Sequence, residues 1–154
     1  MTLKKPYHHG GLKEALIAAG IEILDSRGLE HLSLRAIAAH VGVSHTAPKN
    51  HFGSLKGLLT AIATEGFHRH AAFMRQGVVG DDPKARQIAA MQGYLRFAIT
   101  HPHLFQLMFS PTQCAFDDPD LMAAARDSYS VLAGIARGLD WDKSDAPDRH
   151  AAPN

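Results

Sequence analysis

The sequence predicts an all-α protein in which a three-helix head containing a helix-turn-helix is followed by a helical body. Three observations carry that prediction. Apolar residues recur with the 3.6-residue period of a helix in one segment after another. No segment alternates with period two over enough residues to demand a strand. Glycine, serine, aspartate and proline fall between the periodic segments, where helices start and stop.

The first helix is expected over Leu12 to Arg27. It carries Leu12, Leu16, Ala19 and Ile23 in one row and Ile17, Ile21 and Leu24 in a second, with Gly28 as its C-cap. Ser33 is a good N-cap for a short second helix that buries Leu34, Ile37 and Ala38 and stops at Gly42. Ser44 is expected to cap a third helix running through His51. Pro48 then falls at its fifth position, counting the cap as first, and removes an early backbone bond. Ser54 caps a fourth helix through Leu58, Leu59, Ile62, Ala63 and Phe67 toward Met74.

Gly77 to Pro83 has the composition of a connection. Beyond it, Ile88, Met91, Leu95 and Ala98 repeat at helical spacing from Lys84 to Thr100, with Tyr94 and Phe97 widening the apolar face. His101-Pro102 breaks that helix, because the residue before a proline is pushed out of the helical region. A short helix from His103 to Phe109 and a last one from Asp120 to Leu139 complete the body, and the polar segment past Trp141 is expected to be disordered. The expected division is therefore a helix-turn-helix domain over residues 1–60, a ligand-binding and dimerisation domain over 61–140, and a tail over 141–154.

Hydrophobic residues make up 45% of the 154 residues and charged ones 20%, which excludes wholesale disorder. No apolar run approaches the roughly 18 residues of a membrane span, and the start Met-Thr-Leu-Lys-Lys-Pro lacks a signal-peptide apolar stretch, so a cytoplasmic location is expected. Cys114 is the sole cysteine, so no intrachain disulfide and no multi-thiolate metal site can form. It reads as a small buried hydrophobe. Up to Thr60, seven Lys/Arg stand against four Asp/Glu, whereas the remainder has nine against eleven. A basic head on an acidic body points to a polyanion as the head's partner.

Enzyme chemistry finds no support. There is no phosphate-cradling glycine loop, nucleophile elbow or metalloprotease helix, and Asp117, Asp118 and Asp120 beside Pro119 read as solvation and helix capping. His68 and His70, like His101 and His103, are two apart, which sends them to different helix faces and argues against a shared metal. No cofactor is expected.

The feature that carries chemistry is the pair of short helices joined by Val41-Gly42-Val43, where glycine permits the reversal and the valines plug the gap. Its second helix would present Ser44, His45, Thr46, Lys49, Asn50 and His51 to the major groove of double-stranded DNA. Ser33 and Arg35, at the start of the preceding helix, suit a phosphate strand, and Lys56 suits another. Lys4, Lys5, His8 and His9 read equally as a minor-groove arm or as an unstructured tail. In the body, Met91, Tyr94, Phe97, Phe105, Met108, Phe109 and Phe116 read either as core or as the wall of a cavity for a small apolar effector.

Tyr7-His8-His9-Gly10-Gly11-Leu12, Leu32-Ser33-Leu34-Arg35-Ala36-Ile37-Ala38, Val41-Gly42-Val43-Ser44 and His51-Phe52-Gly53-Ser54 together resemble the DNA-binding head of the TetR/AcrR family of bacterial regulators. Tyr94-Leu95-Arg96-Phe97-Ala98 and His101 to Phe109 resemble a C-terminal domain found on many such regulators. The resemblance implies a homodimer, one head per operator half-site, and an effector pocket in the body that controls head spacing, hence a ligand-responsive repressor. Two departures stand out. Lys49-Asn50 replace the family's usual phosphate-contacting tyrosine, and Leu55 followed by Lys56 replaces a lysine directly after the serine cap. The family's two further long helices are also missing, so the body is expected to be truncated. The alternative is therefore a degenerate member that binds a partner rather than an operator.

Overall fold

The computed structural model describes residues 11–137, which form seven α-helices and no strand. The head contains α1 (Leu12–Arg27), α2 (Leu34–Val41) and α3 (Thr46–Phe52), with a single 3-10 turn at Leu29–His31 between the first two. Then follow α4 (Leu55–Arg75), α5 (Pro83–Thr100), α6 (Pro102–Met108) and α7 (Pro119–Arg137). The expected tail at 141–154 and the expected arm at Lys4, Lys5, His8 and His9 lie outside the described residues.

The caps explain most of the boundaries. Ser33 Oγ accepts from Ala36 N–H at 3.0 Å and Ser54 Oγ from Gly57 N–H at 3.0 Å. Asp82 caps α5, with Pro83 at its first position, and Asp118 caps α7 by accepting from Leu121 N–H at 2.9 Å. α2 ends where Gly42 turns left-handed (φ 80°, ψ 36°), and the N–H groups of Gly42 and Val43 both bond to the carbonyl of Ala38. This double bond closes α2 and aims the chain into α3.

α4 is the shared element. Its Leu58, Leu59, Ile62 and Ala63 pack with Leu16 and Leu24 of α1 and Ile37 of α2. The same cluster continues to Phe97, Leu104, Met108 and Leu121 of the body. The border expected after Thr60 falls inside α4, so head and body share one core. A smaller cluster of Ala71, Met74, Ala90 and Val131 joins the far end of α4 to α5 and α7.

Three local expectations are corrected. α3 begins at Thr46, with His45 as a helical N-cap making no side-chain cap bond, and Ser44 Oγ instead meets Thr46 Oγ1 at 3.1 Å. Pro48 therefore sits at the third helical position, where a backbone N–H has no intrahelical partner, and it removes no bond. The short body helix runs Pro102–Met108, one residue earlier at each end than expected, because Pro102 takes the first helical position.

The largest correction concerns α5. Its buried residues are Ala90, Gly93 and Phe97, whereas Ile88 is 51% exposed, Met91 42% and Leu95 54%. The reason is steric. A Cβ on Gly93 would collide with the carbonyl oxygen of Phe73, so α5 lies on α4 at contact distance through its smallest residue. Met91 and Leu95 each stand two residues from Gly93, about 200° around the helix, and are turned outward.

Candidate nucleic-acid interface

The outer face of α3 is built on one buried proline. Pro48 is fully buried, and Phe52, one turn later on the same side of α3, is half-buried against the core, so the rest of α3 faces outward. Thr46 and Asn50 lie two residues from Pro48 on either side, about 200° away, and form the outermost row. Lys49 and His45, four apart, form the adjacent row. All four are exposed. Proline serves here because its fixed φ suits an early helical turn and its ring is apolar.

The flanking residues extend this surface. Ser33 and Arg35 are exposed at the start of α2, and Lys56 is exposed in the first turn of α4. The Ser33 oxygen holds the Ala36 N–H, which leaves its O–H proton for a phosphate. α4 starts tightly beneath α3, since a Cβ on Gly57 would collide with the Phe52 carbonyl oxygen. That nesting fixes Lys56 relative to α3. Ser44 is exposed and is held by Thr46. His51, although exposed, turns toward a groove of about 320 Å³ that it lines with Lys13, Phe52, Thr60, Thr64 and Glu65.

The residues assigned to an effector cavity are brought together in part. Tyr94, Phe97 and Phe105 gather about the His70 ring, with centroids at 4.7, 5.1 and 5.9 Å. Phe109 adjoins Phe105 at 5.1 Å and is 52% exposed. Met91 points away from this group on the outer face of α5, Met108 is buried under Gly66 of α4, and Phe116 packs on the main core. The open groove of about 450 Å³ beside α6 is lined by Leu29, His103, Gln106, Leu107 and Phe109, of which Phe109 alone belongs to the expected set.

Two histidines at the centre of the body carry roles that spacing did not reveal. His70 Nδ1 lies 2.8 Å from Ser128 Oγ of α7, and burial pushes the imidazole down to about pKa 4, so it is neutral. His101 Nδ1 lies 2.7 Å from Asp25 Oδ2 of α1, across the boundary between body and head. His68 is exposed while His70 is buried, as their two-residue spacing required. Cys114 is buried, with its Sγ 3.5 Å from the Leu107 carbonyl, and burial pushes its thiol up to about 11 despite nearby Lys56. Among the described residues no helix is long and apolar enough to cross a membrane.

Known proteins agree with this architecture. Residues 88–153 match the family model of the tetracyclin repressor-like C-terminal domain. The chain is 22% identical over 134 residues to Rv0681 of Mycobacterium tuberculosis, an uncharacterized HTH-type transcriptional regulator. That match takes in 86% of this chain and 61% of the relative's length. A Rhodococcus sp. RHA1 protein of unknown function superposes with a TM-score of 0.73 at 33% identity, over 87% of this chain and 70% of that one. A TetR family transcription regulator from Marinobacter aquaeolei VT8 superposes with a TM-score of 0.60 at 18% identity, over 82% and 67%. With its helix-turn-helix head and this all-α arrangement, the chain has the fold of TetR family regulators, and its C-terminal part is similar to their C-terminal domain.

Proposed function

We propose that the chain binds double-stranded DNA through α3 and acts as a ligand-responsive repressor, working in the cytoplasm as a homodimer. The observation that carries this reading is the polar outer face of α3, where Thr46 and Asn50 stand opposite buried Pro48 and Lys49 is exposed in the adjacent row. Thr46 and Asn50 are short polar groups suited to base edges, while Lys49 meets phosphate as a point charge. Arg35 and Lys56 flank the helix from α2 and α4, as phosphate contacts on the two sides of a groove would require.

Responsiveness to a ligand has its own support. Phe97 touches the His70 ring at 5.1 Å and the His101 ring at 5.3 Å, and His101 holds Asp25 of the head. A molecule that displaced Phe97 would act on α1 through that contact. Association of two copies is supported by the uncovered row of Ile88, Met91, Leu95 and Ile99 on α5.

Footprinting on the DNA that flanks the chain's own gene tests the reading. A protected palindrome with two half-sites about one helical turn apart is expected. Absence of protection at low salt contradicts operator binding.

A further inference from the structure

Among the described residues, His70 Nε2 is the one buried side-chain nitrogen or oxygen without a hydrogen-bond partner. The residue is 3% exposed, on α4, and four helices surround it: its own, α5 with Tyr94 and Phe97, α6 with Phe105, and α7 with Ser128. Buried polar atoms are nearly always paired, so an orphan inside an aromatic setting calls for an explanation.

The proton on that nitrogen follows from Ser128. Its hydroxyl has His70 Nδ1 as its partner at 2.8 Å. If Nδ1 carried the hydrogen, the Ser128 O–H would also be left unpaired, giving two orphans. If Ser128 donates to Nδ1, the hydrogen sits on Nε2 and a single orphan remains. Nε2–H is therefore a buried, unsatisfied donor.

We propose that His70 Nε2–H is the polar anchor of a binding site for a neutral, apolar small molecule bearing one carbonyl oxygen, with the molecule's apolar body lodged among Tyr94, Phe97 and Phe105. This rests on the reading of the chain as a ligand-responsive regulator and names the ligand class. A carbonyl supplies the acceptor that the donor lacks, and the three rings supply the apolar contact. A carboxylate fits less well. The imidazole stays neutral at physiological pH, Arg75 is paired with Asp127, and Arg96 lies over the Phe73 ring, so the charge would be buried without a counter-ion. Entry comes from the side of Tyr94 and Phe105. Both are half-buried and lie 5.9 Å apart, so a rotamer change of either ring opens the cage to solvent, and a molecule seated there bears on Phe97.

The test uses the full chain, acetophenone as the carbonyl probe, and ethylbenzene and benzoate as controls of similar shape. Imidazole nitrogen NMR at pH 7 is expected to find hydrogen on Nε2 of His70. Acetophenone should shift that resonance and bind about tenfold more tightly than ethylbenzene. His70→Phe should equalise the two while retaining helical circular dichroism. The free-protein tautomer and the wild-type probe ratio need no variant, so the test stands even if the substitution unfolds the chain. Hydrogen on Nδ1, equal binding of ketone and hydrocarbon, tighter binding of benzoate, or no acetophenone binding overturns the site. Acetophenone held at His70 without any change in DNA affinity supports the site but overturns ligand responsiveness. Release of DNA by a molecule that leaves the His70 resonance unmoved does the reverse.

Discussion

His101 and Asp25 join the body to the head: the Nδ1 of a residue between α5 and α6 lies 2.7 Å from a carboxylate oxygen in the last turns of α1. Both side chains are mostly shielded, at 18% and 27% exposure, so the pair is screened less than a surface ion pair. A double-mutant cycle with Asp25→Asn and His101→Gln should give a coupling energy of about 1 kcal/mol by chemical denaturation. A coupling indistinguishable from zero would mean that the contact holds nothing.

Gly93→Ala is predicted to destabilise the fold by roughly 1–3 kcal/mol, because the added Cβ meets the Phe73 backbone, which has no rotamer to yield. Thermal denaturation measures it. By propensity alone the same change in a helix would stabilise by about 1 kcal/mol, so the two effects predict opposite signs.

His70 sets an acid-side dependence of stability. Its folded-state pKa of about 4 lies below the ordinary 6.5, so the unfolded chain takes up the proton first as pH falls. The contribution is complete above pH 6.5, declines between 6.5 and 4, and is gone below 4. Its span is at most about 3 kcal/mol. Denaturation midpoints of wild type should fall more steeply than those of His70→Phe across that window, and parallel curves would contradict the assignment.

Leu95→Glu probes the outer face of α5. Leu95 is 54% exposed, so the fold should survive the charge, while light scattering should report a dimer for wild type, as proposed, and a monomer for the variant. An unchanged dimer would assign association to another surface.

The sequence made the head more legible than the body, for a physical reason. Caps and turns such as Ser33, Gly42 and Ser54 act within a few residues, and each fell where its chemistry required. α5 misled because periodicity weighs apolar character, whereas helix contact at short range is decided by the smallest residue, Gly93, which hydrophobicity ignores. The contacts of His70 and His101 were illegible because their partners, Ser128 and Asp25, are 58 and 76 residues away. Within the recognition face, the outward positions of Thr46, Lys49 and Asn50 followed from the helix, but the turning of His51 toward the α1 and α4 side did not.

The most direct measurement is a salt series of binding to the footprinted DNA by wild type, Lys49→Ala and Thr46→Ala. The account predicts that log affinity falls linearly with log salt, and that Lys49→Ala weakens binding on all sequences with a slope shallower by about one. Thr46→Ala should relax preference at one base position and leave the slope unchanged. Binding that ignores salt, or exchanged behaviour of the two variants, would contradict the docking of α3 on DNA.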